Sequence, residues 1–240
     1  ADDLLARWSQ PAEVVVTTAV TSPMVAEVAR RRAAAHEETL TGFKWIMKAG
    51  GPPMGSGESS RHGRPARLVF GYEEAIGYSV GDDRGVPVND KDGIGAALAA
   101  AALAAAARRD GRTLLDLLDH QAREHGLHAT SQLSVRVQDL SLITSALGRL
   151  RAEPPARLGG RAVERFDDLS QGVDGLPPTD GVRFRLAGNA RVVVRPSGTE
   201  PKLKCYLEVV HPVDDDISKV LARAAADLHA LRADLSAALR

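Results

Sequence analysis

Arg195, Ser197, Gly198 and Thr199 stand together in the stretch RPSGTEP, Arg195 to Pro201, and carry the groups a bound oxyanion needs. A phosphate dianion requires donors on several sides. The guanidinium of Arg195 offers a planar fork, Ser197 and Thr199 offer two hydroxyls, and Gly198 offers an amide that no Cβ shields. Successive N–H groups turned inward in such a loop form an anion-binding nest, and Pro196 and Pro201 restrict the loop before a ligand arrives. Pro, Ser, Gly and Thr are also ordinary turn residues, so the stretch taken alone equally fits a polar strand-to-strand turn.

Two further stretches carry groups suited to a sugar phosphate. Glu73 and Glu74 follow directly on Arg67 to Gly71, a short apolar run that reads as a buried strand. Such proteins present ligand loops at that end of a strand, where carboxylates can accept hydrogen bonds from vicinal hydroxyls. Two solvated surface glutamates are the other reading. Lys44 lies among apolar residues just after Gly42, a setting for a phosphate-binding lysine or for one that snorkels to solvent. Asp214, Asp215 and Asp216 precede a long terminal helix, where acidic residues cap and complement the dipole. The seven histidines lack ligand spacing, so no metal ligand is assigned in this chain.

The elements that must hold these groups are legible from periodicity. Residues two apart on a strand share a face, so Arg191, Val193 and Arg195 point one way and Val192 and Val194 the other. Lys202, Lys204, Tyr206 and Glu208 share a face in the next run, as do Arg183 and Arg185 in an earlier one. The expectation is three strands with one apolar face for helices and one open cationic face, the Ser-Gly-Thr loop at its edge. Cys205 falls on the apolar face and reads as a buried strand residue.

With 31 basic and 31 acidic residues the net charge is zero, which gives the chain as a whole no pull toward nucleic acid or membrane. Its 44% hydrophobic content supports a real core, and one cysteine excludes an internal disulfide framework. No apolar run reaches the roughly 18 residues of a membrane span. No basic-then-apolar leader pattern is read at Ala1, and a cytoplasmic protein is expected.

In chain order, Asp2 to Trp8 reads as the end of a helix and Glu13 to Ala19 as a buried strand. Ser22 and Pro23 open a helix to about Ala35, and Ala49 to Arg67 reads as a mobile surface loop. Asp90 or Asp92 caps an Ala-rich helix to Arg109, and another helix runs from Thr113 to about His125, stopping at Gly126. These alternating elements predict an α/β domain with a parallel sheet over residues 1–126. From Gln132 the order becomes strand, helix (Leu140 to Arg151), a Pro and Gly-rich connection, three strands and a long helix with Ile217, Val220, Leu221, Ala224 and Leu228 at spacings of three and four. That order predicts a smaller α+β domain over residues 127–240, an antiparallel sheet with helices on one face.

The stretches TLTGFKW (Thr39 to Trp45), FGYEEAIGY (Phe70 to Tyr78), DKDG (Asp90 to Gly93) and RPSGTEPKLKCYLE (Arg195 to Glu208), taken in order, resemble the α-D-phosphohexomutase family of phosphoglucomutases and phosphomannomutases. The resemblance runs from about Glu13 to the end. It implies that residues 1–126 are similar to the third domain of those four-domain enzymes, N-terminally incomplete, and residues 127–240 to the fourth. It further implies that Glu73 and Glu74 bind sugar hydroxyls, that Arg195, Ser197, Gly198 and Thr199 bind the phosphate that is not transferred, and that Lys44 lies near the substrate. Ala75 and Tyr78 depart from the serine and histidine of many relatives, which leaves the sugar open.

The family's phosphoserine loop (Thr-Ala-Ser-His-Asn type) and magnesium loop (Asp-x-Asp-x-Asp-Arg) do not occur in the chain, so it holds no catalytic residue. The expectation is the substrate-binding C-terminal half of a phosphohexose mutase. This isomerase is an intramolecular phosphotransferase between sugar 1- and 6-phosphates in carbohydrate metabolism, and the half would not be active alone. Mg2+, with ligands outside this chain, and a sugar bisphosphate intermediate are implied for the complete enzyme. The missing N-terminal domains, in the same or a separate chain, are the implied partner. A non-catalytic sugar-phosphate binder is the alternative. An open basic sheet face could instead stack single-stranded RNA on Tyr206, which is ranked last because aromatics make up only 4% of the chain.

Overall fold

A computed structural model describes residues 1–7, 13–49, 67–82, 85–214 and 216–239. The expected loop at Ala49 to Arg67 lies, between its two ends, outside the described residues, as do Trp8 and Asp215. The chain divides into two units, Ala1–His120 and Gln121–Arg240.

The first unit contains α1 (Asp2–Arg7), β1 (Glu13–Thr18), α2 (Met24–Arg31), β2 (Ala35–Thr39), α3 (Phe43–Ala49), β3 (Arg67–Glu73), β4 (Gly77–Val80) and α4 (Gly93–Arg109). The β-branched run EVVVTT makes β1 a central strand buried along its length. Its alternation divides two small cores. Val14 and Val16 pack with Phe43, Ile46 and Leu68 on one face, and Val15 packs with Leu5, Val28, Ala29 and Val69 on the other. The sheet order is β2-β1-β3-β4, with β1 parallel to β2 and β3, and β4 antiparallel to β3.

Periodicity carried the second helix too far. It ends at Arg31, Ala33 turns the chain at φ 55, and Ala35–Thr39 pairs with β1 as a strand. That pairing is a long-range contact, which outweighs the weak local preference of Ala-His-Glu-Glu-Thr. Asp92 caps α4 as expected, accepting from the Gly95 amide at 2.7 Å.

α5 (Leu114–His125) straddles the division. The second unit continues with β5 (Leu127–Arg136), α6 (Ser141–Ala152), β6 (Arg157–Leu158), β7 (Arg161–Asp168), a 3-10 turn at Leu169–Gln171, β8 (Val182–Leu186), β9 (Ala190–Pro196), β10 (Lys202–His211) and α7 (Ile217–Ala238). The sheet has the order β5-β10-β9-β8-β7-β6, and every pair is antiparallel. Its apolar face, with Phe184, Val192, Val194, Cys205 and Leu207, packs under Leu147 and Leu150 of α6 and Leu231 and Leu235 of α7. Cys205 is buried, and burial pushes its thiol up to about 12. Two strands were not anticipated, because β6 and β7 lie in the Pro and Gly-rich connection.

The opposite face is not the open cationic surface that alternation suggested. Arg183 is 2% exposed and donates to Asp167 and Asp174, each at 2.8 Å. Arg165 and Arg185 bond to the same two aspartates. Buried Glu208 accepts from Arg191 at 3.2 Å and lies 3.0 Å from His128. A buried guanidinium requires such partners, and here they come from β7 and from the turn at Asp174, both distant in sequence. Tyr206 is only 6% exposed, which removes the stacking platform of the RNA reading.

Candidate functional site

Cationic character survives at the loop end of this sheet. Cross-strand register places Arg195 beside Lys204, and Lys202 beside Arg136. Lys202 and Arg136 both pair with Glu200, whose carboxyl is held below the usual range chiefly by the hydrogen bond from Lys202. Arg195 is different. Half-buried at the end of β9, it has no side-chain hydrogen bond or ion pair among the described residues. A guanidinium positioned and left unneutralised is the strongest anion-seeking group on this surface.

The loop itself is held at its ends. The Ser197 amide donates to the Lys202 carbonyl at 2.9 Å and the Lys202 amide to the Glu200 carbonyl at 2.7 Å. No residue from 196 to 201 has positive φ, so the loop is not the αR–αL kind of nest, and the Ser197 amide is already engaged. The Thr199 amide donates to Ser197 Oγ at 3.5 Å, and the donors left for a ligand include the Ser197 and Thr199 hydroxyls and the Gly198 amide. Gly198 is exposed, and a Cβ there would meet nothing within 4 Å, so packing does not demand glycine at this position. Gly181 is another matter. At φ +149 it abuts the loop's arginine, and a Cβ built on it would lie 2.9 Å from the Val194 carbonyl and 3.1 Å from Arg195 Cβ. Its absent side chain gives Arg195 its place.

In the first unit, three separated sequence stretches converge on one carboxylate. Glu73 closes β3 opposite Gly77, and it is 6% exposed. Its Oε1 lies 2.6 Å from Lys91 Nζ, and Lys91 lies 6.0 Å from the centre of the Phe43 ring. A Cβ on Gly77 would come within 2.6 Å of Glu73 Cγ and 2.9 Å of Phe43 Cδ2, so glycine there is what lets the carboxylate fold inward. Asp90 Oδ1 accepts from the Lys91 amide at 2.7 Å, and the Asp92 amide donates to the Tyr78 carbonyl at 2.7 Å, which fastens the lysine's loop to β4. An oriented carboxylate with one oxygen on an ammonium keeps its second oxygen as an acceptor for a hydroxyl.

The other expected residues are placed differently. Glu74 is half-buried and makes no side-chain hydrogen bond among the described residues. Lys44 is exposed in the first turn of α3, its ammonium 5.5 Å over the Trp45 ring beside Lys48, and it does not join Glu73. Lys91 and Gly181 were not singled out from the sequence. DKDG was visible as a motif, but only the fold shows which of its residues reaches the site. Among the described residues no group of three His, Cys, Asp or Glu could hold a metal, and no helix is long and apolar enough to cross a membrane.

Comparison with known proteins bears on both units. Residues 1–124 match the family profile described as phosphoglucomutase/phosphomannomutase, alpha/beta/alpha domain III, and residues 134–226 match that of the phosphoglucomutase/phosphomannomutase C-terminal domain. The chain is 39% identical over 203 residues to a "Probable phosphomannomutase" of Haemophilus influenzae, covering 85% of this chain and 37% of that protein. It is 31% identical over 221 residues to a "Probable phosphoribomutase" of Schizosaccharomyces pombe, covering 85% of this chain and 36% of that protein. The chain thus spans just over a third of the length of these relatives. In fold it is similar to the crystal structure of parafusin, a phosphoglucomutase of Paramecium, with a TM-score of 0.64 at 20% identity over 93% of this chain and 37% of that one.

Proposed function

Because domain III and C-terminal domain profiles match along its length, the chain belongs to the phosphoglucomutase/phosphomannomutase family, and on that premise we propose that it is the substrate-binding C-terminal half of a phosphohexose mutase. Arg195, with the hydroxyls of Ser197 and Thr199 and the Gly198 amide, holds the phosphate that is not transferred. Glu73, oriented by Lys91, accepts from the sugar hydroxyls, with Glu74 and Lys44 as outer contacts. The observation that carries this reading is the unneutralised Arg195 on a surface where the neighbouring arginines 183, 185 and 191 are all ion-paired.

Phosphoryl transfer relies on positioning and on neutralising charge, and this chain supplies the positioning. The phosphoserine and the magnesium ligands belong to the share of family enzymes that the chain does not span, and a sugar bisphosphate links the two transfers. The names of the relatives keep both a hexose and a pentose phosphate in play.

Titration calorimetry with glucose 1-phosphate, mannose 1-phosphate and ribose 1-phosphate tests the reading. Arg195→Ala should weaken binding by about 1.5 to 3 kcal/mol, the worth of a charge-assisted hydrogen bond, or roughly ten- to 150-fold. Unchanged affinity would remove the loop from the mechanism. A non-catalytic binder is distinguished by mixing the chain with the remaining domains of a family enzyme, which should then show no mutase activity.

A further inference from the structure

Three guanidinium groups of the second unit meet at one point of its surface. Arg165 of β7 stands directly opposite Arg185 of β8, and Asp167 stands opposite Arg183. Like charges paired across two strands repel, so this arrangement is stable only with anions beside it. Two carboxylates supply them, each on its own side of the cluster. Asp167 takes the Nε side of all three arginines, at 2.8 Å from Arg183, 2.5 Å from Arg165 and 3.5 Å from Arg185. The Nη2 groups of the same arginines all turn to Asp174, at 2.9 Å from Arg165, 2.8 Å from Arg183 and 2.5 Å from Arg185.

The two carboxylates differ in how firmly they are kept. Asp167 is a buried strand residue, whereas Asp174 is exposed at the tip of a tight turn that the Leu176 amide closes on the Val173 carbonyl at 2.9 Å. Asp174 at φ 54 and Gly175 at φ 83 are the left-handed pair of a two-residue turn. Backbone and the buried Leu176 therefore shape this turn without the ion pairs. Arg165 and Arg185 are each nearly half exposed, and ion pairs so open to water contribute little, so a stronger anion can take the place of Asp174.

We propose that the Nη2 groups of Arg165, Arg183 and Arg185 form a second oxyanion site, for the phosphate group of a small molecule, and that Asp174 is its built-in, displaceable occupant. A phosphate offers three terminal oxygens, one for each Nη2, where Asp174 must share Oδ2 between Arg183 and Arg185. Three guanidinium charges face only two carboxylates, and a phosphate monoester, close to doubly charged at neutral pH, balances them where Asp174 falls one charge short. Buried Asp167 stays behind and holds the three forks from the other side. The site lies wholly within the second unit and uses none of Arg195, Ser197, Gly198 or Thr199, so it stands whether or not the mutase reading does.

Calorimetric titration with inorganic phosphate at constant ionic strength tests the site, in the 240-residue chain carrying Arg195→Ala to silence the other loop. Asp174→Gly, which puts glycine at a positive φ, should tighten phosphate binding by roughly tenfold or more, and adding Arg185→Ala should abolish the gain. Asp174→Asn keeps the turn, removes the charge and should shift the affinity in the same direction, so a folding defect in one variant does not decide the outcome. With Asp174 in place, phosphate should move the amide resonances of Asp174 and Gly175 saturably, as a turn that yields its contact requires. No tightening in either variant, or tightening that survives Arg185→Ala, would overturn the site. Tightening with no movement of the native turn would overturn displacement. Glucose 6-phosphate in place of inorganic phosphate then tells the source of the group: tighter binding assigns the site to a phosphate ester, and equal or weaker binding to free phosphate.

Discussion

Replacing Gly77 by alanine should do its damage through Glu73. Gly77 does not have positive φ, so alanine carries no penalty from a left-handed backbone, and the effect is a collision. The added Cβ would lie 2.6 Å from Glu73 Cγ, 2.9 Å from Glu73 Oε1 and 2.9 Å from Phe43 Cδ2. Overpacking of this kind costs about 1 to 3 kcal/mol. Expelling the glutamate from its contact with Lys91 adds little, because Lys91 is 45% exposed and a pair so open to water contributes only about 0 to 1 kcal/mol. If Glu73 is what alanine strikes, removing its side chain makes room. Gly77→Ala should then cost about 1 kcal/mol less, or better, in a Glu73→Ala background than in the native one. Trp45 lies in α3 of the first unit, so urea titrations followed by its fluorescence in a Trp8→Phe background report that unit. Equal costs in the two backgrounds would refute the account, because the collision would then lie elsewhere and Gly77 would not be what shapes the carboxylate's place.

Other perturbations probe the ion pairs and the loop strain. Arg183→Ala removes the buried partner of Asp167 but leaves it the half-exposed Arg165 and Arg185, so in thermal melts it should destabilise the second unit by less than the about 3 to 5 kcal/mol of a stranded buried charge, and Arg183→Ala with Arg165→Ala should cost more than the sum of the two alone. Ile76 is β-branched, 81% exposed and held at φ 56, so Ile76→Gly should leave stability level or raise it by up to about 1 kcal/mol. Ala75→Gly, where φ is not positive, should lower it in the same urea assay. Acid should weaken the second unit from about pH 4 downward. Burial opposes ionisation of Asp168 and Asp174, but hydrogen bonds from Ser170 and Arg151 for the first, and from Arg165 with the charges of Arg185 and Arg183 for the second, hold both below the ordinary value. Carboxylates depressed in the folded state stabilise it above their unfolded pKa and lose that contribution as pH falls through the folded one. Circular dichroism melts of Arg151→Ala should show a shallower acid limb, and an unchanged limb would exclude that pair as its source.

The amino-acid order by itself determined the parts of this protein that depend on neighbours along the chain. Alternation assigned Val192, Val194, Cys205 and Leu207 to a helix-covered face, the aspartates at 90 and 92 and at 214–216 announced the helix starts that Asp92 and Asp216 cap, and the candidate phosphate donors Arg195, Ser197, Gly198 and Thr199 fall within one short stretch. The charge of the other sheet face was beyond its reach. Periodicity says which way Arg183, Arg185 and Arg191 point, but Asp167, Asp174 and Glu208, which neutralise them, are brought by strand register and a distant turn. Strand β2 was hidden for the same reason, since it exists by pairing with β1. The tertiary structure also decided which members of three motifs meet. Phe43, Glu73 and Lys91 are separated along the chain, and they meet because β3 ends where α3 packs and where the Asp92 amide fastens the lysine's loop to β4. Local spacing encodes faces and caps, whereas the identity of an ion-pair partner is a property of the closed fold.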